Sequence, residues 1–219
     1  MSLLATLQQL HSADASSGSA RVVDLAFEIE GQHLPADYPR GLEAALLAAL
    51  PWAAGDPVLG IHRVRAPQTE AGYVLSRRAR LIVRTRESRA DEVADLSGRT
   101  LSVGSDTVRI GRATMKPVTP FPTLRAQMVV NFFADEQAFM DDVGIQLEVL
   151  GVRAEAMCGR PGTVSASGGP LRGFSLVVHD LSAEHSLRLQ AIGLGPARRL
   201  GCGLFVHHKI IDGLDAFPE

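Results

Sequence analysis

The sequence is poor in the residues that form disulfide frameworks, metal clusters and aromatic stacking surfaces. Its 219 residues include two cysteines, one tryptophan and two tyrosines, and aromatic side chains make up 5%. The two cysteines, Cys158 and Cys202, are too few for a disulfide framework or a cysteine-rich zinc site. Neither a His-Glu-x-x-His nor a Cys-x-x-Cys motif occurs, so we expect no metal site and no cofactor. The low cysteine content is typical of a reduced, cytoplasmic protein.

Long apolar runs are also missing. The longest, at 44–54, is interrupted by Pro51 and is too short to cross a bilayer. No basic region precedes the short apolar stretch near the N-terminus, so we expect neither a secretory signal nor a membrane partner. The chain is nevertheless 46% hydrophobic, which is enough to bury a core and excludes global disorder.

Lysine is almost absent, because only Lys116 and Lys209 accompany 20 arginines. The net charge of −2 would by itself argue against a nucleic-acid-binding protein. The charge is unevenly distributed, however: positions 60–125 carry 13 basic and 6 acidic residues, and positions 151–209 carry 7 and 3. Arginine binds phosphate through two parallel hydrogen bonds and stacks on bases, so these two basic blocks favour an RNA partner.

The order of predicted elements repeats in two halves of the chain. In the first half the hydrophobic pattern predicts a strand at 21–30, a helix that ends at position 50, short strands at 58–64, 73–75 and 80–84, a helix at 88–96 and two short strands within 100–110. In the second half it predicts a strand at 124–132, a helix at 135–150, strands at 153–158 and 173–178, a helix at 183–192 and a strand at 204–208. Both halves approximate the βαββαβ order of ferredoxin-like folds. We therefore predict an α+β fold of two tandem ferredoxin-like, RRM-like domains. The predicted parts are a flexible lead-in at 1–20, an N-terminal domain at 21–116, a linker at 117–122, a C-terminal domain at 123–209 and a tail at 210–219.

A dense group of arginines lies in the first basic block. The segment Arg80–Arg84 is predicted to be a strand with arginines on one face and apolar residues on the other. Arginines on an exposed strand face are usually only solvated, but six of them within 13 residues favour an anionic partner. The six are Arg77, Arg78, Arg80, Arg84, Arg86 and Arg89. Because aromatics are few, recognition of an RNA hairpin by shape and phosphate fits better than base stacking.

A glycine-rich segment at 193–203 reads Gly-Leu-Gly-Pro-Ala-Arg-Arg-Leu-Gly-Cys-Gly. Glycines let a backbone approach a phosphate closely, and Arg198 and Arg199 add positive charge at the same place. Its position between a helix and a strand is the reverse of a dinucleotide-binding loop, and it has no Walker-type lysine. An ordinary loop with a glycine helix cap is the alternative. We predict a phosphate-backbone cradle formed by Gly193, Gly195, Gly201 and Gly203 with Arg198 and Arg199.

Seven histidines could supply a group that titrates near neutral pH. His62 is the most suggestive, because Arg63 and Arg65 follow it and would attract a phosphate to the same place. A solvated strand end is an equally weighted alternative. His207 and His208 project to opposite faces of a predicted strand, so only one of them could face a ligand.

Several ordered segments together resemble one known family. At the C-terminal end these are Ser-Leu-Arg-Leu-Gln at 186–190, the glycine-rich segment, and Leu-Phe-Val-His-His-Lys at 204–209. At the N-terminal end they include Val-Asp-Leu-Ala-Phe at 23–27, Leu-Pro-Trp at 50–52 and Gly-Ile-His at 60–62. The set resembles the CRISPR-associated repeat-RNA endoribonucleases (the Cas6 group of the RAMP superfamily), and most of all their myxan-type subfamily.

The resemblance implies a metal-independent endoribonuclease that binds the CRISPR repeat hairpin. In such enzymes the 2′-OH attacks the neighbouring phosphate, which leaves a 2′,3′-cyclic phosphate and a 5′-OH and releases mature guide RNA. It further implies RNA as a partner and, for a protein that stays on its product, other subunits of a CRISPR effector complex.

The resemblance also implies roles for particular residues. The family's catalytic histidine lies within or just after the first helix, so His62 is the first candidate, with Arg65 as the nearby cation. Myxan-type relatives tend to read Asp-His-Gly-Tyr where this chain has Asp-Tyr-Pro-Arg at 37–40. Tyr38 is then a weaker candidate acid and His33 a displaced substitute. The residues expected to bind RNA are Arg65, Arg77, Arg78, Arg80, Arg84, Lys209 and the glycines and arginines of the glycine-rich segment.

Three functions stay open on the sequence. The first is the repeat-processing endoribonuclease, and the second is a hairpin-RNA-binding subunit of an effector complex without nuclease activity. The third is a metabolic enzyme that binds a nucleotide at the glycines, although the helix–glycine–strand order counts against it.

Overall fold

Two antiparallel sheets of the same topology organise the chain. The computed structural model describes residues 21–133 and 135–208. The first half contains β1 (Val22–Glu30), β2 (His33–Leu34), α1 (Tyr38–Ala49), β3 (Gly60–Ile61), β4 (Gln68–Thr69), β5 (Gly72–Val74), β6 (Arg80–Arg86), α2 (Ala90–Ala94), β7 (Thr100–Val103) and β8 (Asp106–Pro117). The second half contains β9 (Leu124–Val130), α3 (Glu136–Val149), β10 (Glu155–Ala166), β11 (Gly169–His179), α4 (Ala183–Ile192) and β12 (Phe205–His207).

Both sheets have the strand order of a ferredoxin-like fold. The first sheet runs β3-β6-β1-β8, with β7 added at its edge, and the second runs β10-β11-β9-β12. In each half the first strand is therefore central and lies between the third and fourth strands of the βαββαβ unit. A small three-stranded sheet, β2-β5-β4, is added to the first half. The predicted fold class, α+β with two tandem ferredoxin-like domains, is confirmed.

Helices cover one face of each sheet, and the cores lie between the two layers. In the first domain, Leu42 and Leu46 of α1 pack with Phe27 of β1. In the second, Phe139 of α3 and Leu189 of α4 belong to one buried cluster. The helix α1 has a proline in its first turn, and Pro51 follows its C-cap residue Leu50, as expected for a residue without a backbone N–H. The described residues contain no helix long and apolar enough to cross a membrane.

Several strands differ in length from the sequence prediction. The strand expected at 58–64 is reduced to Gly60–Ile61, whereas those expected at 153–158 and 173–178 extend into a long hairpin, β10–β11. The added hairpin residues are mostly exposed, so no hydrophobic alternation marks them, and backbone pairing alone defines the strands. The predicted linker at 117–122 falls between β8 and β9, except that Pro117 belongs to β8.

The second domain contacts the first through its glycine-rich segment. The 3₁₀ turn Arg198–Leu200 packs against α1 and β3 of the first domain. Arg199 donates to Glu43 of α1 (Nε to Oε1, 2.9 Å), and Arg198 donates to the carbonyl oxygen of Val58 (Nη2 to O, 3.0 Å). These contacts place the end of β3 against the second domain, which forms a cleft between the two sheets.

Candidate active site

A cleft of about 300 Å³ lies between the two domains. The first domain lines it with Asp24 and His62 and with four arginines, and the second domain lines it with residues that include Gly201. The four arginines are Arg63, Arg65, Arg78 and Arg80. Asp24 is the one acid among the lining residues that the structure describes. The cleft is therefore positively charged and has one histidine in its wall, which suits an anionic ligand.

The chain brings His62 and its neighbouring arginines to one place because β3 stops early. The backbone N–H of His62 still donates to the carbonyl oxygen of Ile82 at 2.9 Å, but 62–67 has no strand structure. In a regular strand, Arg63 would point to the opposite face from His62. Because the backbone leaves strand geometry, His62, Arg63 and Arg65 all line the cleft.

His62 is nearly enclosed and has a lowered pKa. Its side chain is 12% exposed, and its Nε2 lies 3.6 Å from Oδ1 of Asp24. Burial lowers the pKa of His62, Asp24 raises it, and the positive charges of Arg84 and Arg198 lower it further. The ring is thus neutral at pH 7, the state in which a histidine can accept a proton.

Asp24 is fixed by Arg84, its cross-strand partner on β6. Arg84 is 2% exposed and donates twice to the carboxylate, from Nε to Oδ1 at 2.8 Å and from Nη2 to Oδ2 at 2.9 Å. Burial alone would raise the pKa of Asp24, but the hydrogen bonds and the positive charge of Arg84 hold it well below its usual range. The third nitrogen of Arg84 donates to the carbonyl oxygens of Phe205 (2.8 Å) and Gln190 (3.1 Å). Arg84, predicted from sequence to bind RNA, instead lies inside the domain interface with its donors satisfied.

Arg63, expected from the sequence to attract a phosphate beside His62 but not listed among the RNA-binding residues, lies in the cleft. Its Nε is buried and has no hydrogen-bond partner among the described residues, and its Nη2 faces the sulfur of Met128 at 3.7 Å. Gly201 (φ +80°) leaves room for it, because a Cβ there would lie 2.6 Å from Cγ of Arg63. Because Arg63 lines the cleft, the rest of its guanidinium is placed to bind an anion there. Strict strand alternation would place Arg63 on the face opposite His62, and the end of the strand at Ile61 brings both to the cleft.

The other predicted arginines of the first domain lie on or near the cleft. Arg65, Arg78 and Arg80 line the cleft; the first two are exposed and Arg80 is half-buried. Arg77 is exposed next to Arg78 but is not among the residues that line the cleft. Arg80 donates to Oε1 of Glu28 at 3.3 Å and to the carbonyl oxygens of Arg77 and Ala79. This ion pair is largely exposed, so solvent and salt weaken it.

The glycine-rich segment faces inward over most of its length. Gly193, Gly195, Gly201 and Gly203 all have positive φ, between +64° and +80°. Arg198 is buried, and its guanidinium donates to the carbonyl oxygens of Val58, Ala191 and Ile192. Arg199 donates to Glu43 and to the carbonyl oxygens of Ala53 and Ala54. The segment predicted to cradle phosphate therefore joins the domains, and Gly201 is the one of its predicted RNA-binding residues that lines the cleft.

Comparison with known proteins identifies the family. The family model described as Cas6 Crispr matches residues 23–210. A CRISPR-associated endonuclease Cas6 of Myxococcus xanthus (strain DK1622) is 32% identical over 185 residues, which cover 84% of this chain and 80% of the relative. The chain belongs to the Cas6 family. The resemblance seen in the sequence is confirmed.

Solved structures share the Cas6 fold. A structure described as a Cas6-related gene product of Pyrococcus furiosus has a TM-score of 0.61 at 15% identity and covers 87% of this chain and 99% of its own. A structure described as CRISPR associated protein Cas6 has a TM-score of 0.63 at 10% identity, with 86% and 99% covered. A third, described as a RAMP protein binding different RNA substrates, has a TM-score of 0.60 at 15% identity, with 84% and 98% covered. At these identities the likeness shows the fold.

Tyr38 and His33, two further predicted residues of this Cas6 chain, are not among the residues that line the cleft. Tyr38 is 3% exposed, its hydroxyl accepts from the backbone N–H of Val64 at 2.9 Å, and burial raises the pKa of Tyr38 to about 12. His33 is exposed on β2 and is not among the residues that line the cleft. Lys209 lies outside the described residues. The part of the chain that the structure describes contains no group of three metal-ligating side chains.

Proposed function

We propose that this Cas6 chain is an endoribonuclease that binds the CRISPR repeat hairpin and cuts precursor CRISPR RNA to give mature guide RNA. The observation that carries the proposal is the cleft between the domains, where a neutral histidine lies among four arginines. The Myxococcus relative, 32% identical, is named an endonuclease, and this supports a cleavage reaction. The chemistry that fits the cleft is transfer of a phosphate between two oxygens of one RNA strand.

His62 is proposed as the general base of that transfer. Its neutral ring accepts the proton of the 2′-OH, the 2′ oxygen bonds to phosphorus, and the bond to the 5′ oxygen breaks. Water in the cleft donates a proton to the 5′ oxygen, which leaves as a hydroxyl, and the proton held by His62 neutralises the hydroxide formed; the other product ends in a 2′,3′-cyclic phosphate. No water is consumed, and we propose that no metal takes part.

The cleft arginines are proposed to hold the scissile phosphate and its neighbours. Arg63 is the best placed to bind the phosphorane, since it follows His62 directly in the chain and its side chain lines the cleft. Arg65, Arg78 and Arg80 would bind the flanking phosphates, with Arg77 beside them. Arg84 and Arg198 are left out of this surface because their guanidinium groups are buried and bonded within the protein.

The decisive experiment is cleavage of the repeat RNA encoded beside the gene, in the presence of EDTA, with analysis of both product ends. We expect His62→Ala to lower the cleavage rate by about 10² to 10⁴-fold, the usual contribution of a general base, and to leave RNA affinity unchanged. His179→Ala is the matched control, because His179 also pairs with an aspartate (Asp180, 2.9 Å) but does not line the cleft. Full activity of His62→Ala would overturn the assignment.

A second candidate function is a hairpin-RNA-binding subunit without nuclease activity. It is favoured by Tyr38, which occupies the position of a histidine in myxan-type relatives and whose hydroxyl is buried against Val64. Recovery of intact repeat RNA after prolonged incubation with the wild-type protein would select this function. In either case we propose that the protein remains on its RNA in the cytoplasm and joins other CRISPR effector subunits.

A further inference from the structure

We infer that Asp24 is a positioning residue for His62: anchored by Arg84, its carboxylate holds the Nε2 side of the ring and leaves Nδ1 to face the RNA. The inference rests on the proposed function, since it explains how the histidine is presented to a 2′-OH. Asp24 was not among the candidate site residues predicted from the sequence, and Arg84 was expected to contact RNA rather than to hold a carboxylate.

The geometry of the ring supports this assignment. Nε2 of His62 is shielded from solvent and has no hydrogen-bond partner among the described residues. The charged group that faces it is Oδ1 of Asp24, at 3.6 Å. With Nε2 turned toward this carboxylate, the nitrogen available on the cleft side is Nδ1. A small closing movement on RNA binding would bring the Nε2–Oδ1 distance within hydrogen-bonding range.

Asp24 is rigid enough to position a neighbour. Both carboxylate oxygens accept from Arg84, at 2.8 and 2.9 Å, and Arg84 is itself fixed by the carbonyl oxygens of Phe205 and Gln190. Arg84 is 2% exposed, so water does not compete for these bonds. The orientation of His62 therefore depends on a chain of contacts that begins in the second domain and passes through Arg84 to Asp24.

The charged groups around the His62 ring change its pKa, so the effect of Asp24 on the ring can be measured. Asp24 on β1 faces it as an anion, Arg84 on β6 and Arg198 in the 3₁₀ turn face it as cations, and Arg63 follows it in the chain. Asp24 favours the protonated ring, whereas burial and the cations disfavour it. Removing the charge of Asp24 should therefore lower the pKa of His62.

Glu43 is a matched control for a purely structural role. Like Asp24, it has a side chain that is 22% exposed and pairs with an arginine at the domain interface, at 2.9 Å to Arg199. It contacts Arg199 from α1 and is not among the residues that line the cleft. If Asp24 only joined the domains, Glu43→Gln and Asp24→Asn would change the same properties.

The kinetic test is single-turnover cleavage of the repeat RNA as a function of pH. Asp24→Asn keeps a hydrogen-bond acceptor but removes the charge, so we expect the acid limb of the rate profile to move down by about 1 pH unit or more. Asp24→Ala also removes the acceptor, and we expect the rate at saturating RNA to fall by about 10²-fold while RNA affinity is kept. Glu43→Gln and Glu43→Ala should leave the profile in place. Equal effects of the Asp24 and Glu43 variants would overturn the inference.

A second measurement does not depend on cleavage. NMR titration of the His62 ring in the full chain gives its pKa and the nitrogen that carries the proton in the neutral form. We expect a lower pKa in Asp24→Asn than in wild type, and a neutral wild-type ring protonated on Nε2. An unchanged His62 titration in Asp24→Asn would refute the positioning role. If the wild-type protein leaves the repeat RNA intact, the proposed function fails, and if His62→Ala cleaves at full rate, the assignment of His62 as the base fails. In both cases the titration still decides whether Asp24 acts on the ring.

Discussion

At the scale of single residues, arginines that are close in the chain differ in whether they are open to the cleft or buried. Arg80 and Arg84 lie on one strand and point to the same face, yet Arg80 lines the cleft and Arg84 is buried under the second domain. Arg63 holds a donor without a partner in the described structure, whereas Arg198 has carbonyl partners around its guanidinium. The charge of an arginine was readable from the sequence, but its availability to a phosphate was not.

The position of Arg63 in the cleft gives a prediction at this scale. Its guanidinium lines the cleft beside His62, so a phosphate bound there should accept charge-assisted hydrogen bonds from it. We expect Arg63→Met to weaken RNA binding by about 1.5–3 kcal/mol, roughly 10- to 100-fold in Kd. The measurement is RNA binding at fixed salt concentration. Arg153→Met is the control, because Arg153 is exposed on the second domain away from the cleft; an equal loss in both variants would contradict the prediction.

At the scale of elements, the glycine-rich segment has a different role from the one its composition suggested. Its glycines were predicted to let RNA approach the backbone, but three of them are in close contact with other residues of the protein. Gly193 packs against Arg198 and Gly203, Gly203 against Leu194, and Gly201 against Arg63. The positive φ values are required by these close turns. The segment therefore accommodates Arg63 at the cleft and stabilises the domain arrangement, and under the proposed function these are its contributions to RNA binding.

Substitution of Gly203 tests this structural role. A Cβ at Gly203 (φ +64°) would collide with the carbonyl oxygen of Leu194, whereas a Cβ at Gly98 (φ +82°) would meet open space. Gly98→Ala should cost about 1–2 kcal/mol, the strain of a left-handed backbone alone. Gly203→Ala should lower the free energy of unfolding by clearly more, as measured by urea denaturation. Similar losses in the two variants would show that the close approach at Gly203 does not matter.

At the scale of the whole molecule, the domain interface and the candidate active site share one group of side chains. Arg84 joins β6 to the second domain and, through Asp24, contacts His62. The Asp24–Arg84 pair is mostly enclosed, and losing one partner of such a pair leaves a charge without compensation. Stability of the domain arrangement and presentation of the histidine therefore depend on the same contacts.

Loss of Arg84 predicts a pH-dependent change in stability. We expect Arg84→Met to lower the free energy of unfolding at pH 7 by about 3–5 kcal/mol, because Asp24 is left as a buried, unpaired anion. Arg84 holds the pKa of Asp24 below its ordinary 3.8, so the stabilisation is complete above that pH and is lost as pH falls below it. The difference between variant and wild type should shrink in acid, where Asp24 becomes protonated.

His62 makes the free energy of unfolding depend on pH in a second, higher range. Burial lowers its pKa below the ordinary 6.5, so the unfolded chain binds the proton more readily and wild-type stability should also decline as pH falls below 6.5. Urea denaturation from pH 7 to pH 3 measures both windows. A gap between Arg84→Met and wild type that is constant over the whole pH range would contradict the role given to the Asp24–Arg84 pair.

Much of the fold and part of the site followed from the sequence. The hydrophobic periodicity that marks a strand or a helix is a local property of the sequence. The order of these elements along the chain is enough to predict two βαββαβ units. The juxtaposition of His62 with Arg63 and Arg65 is also local, so their presence at one place could be predicted. Asp24 gave no such signal, because its partner is 60 positions away in the chain and only strand pairing brings Asp24 and Arg84 together.

The sequence by itself determined the fold class, the family resemblance and the excess of arginine over lysine in the two basic blocks. The tertiary structure alone decided which basic groups are open to RNA, because exposure depends on which part of each strand face the other domain covers. Arg84 and Arg198 are enclosed by that contact, and Arg63 reaches the cleft because β3 ends at Ile61 and Gly201 has no side chain. Burial and pairing act between residues far apart in the chain, so no local pattern records them.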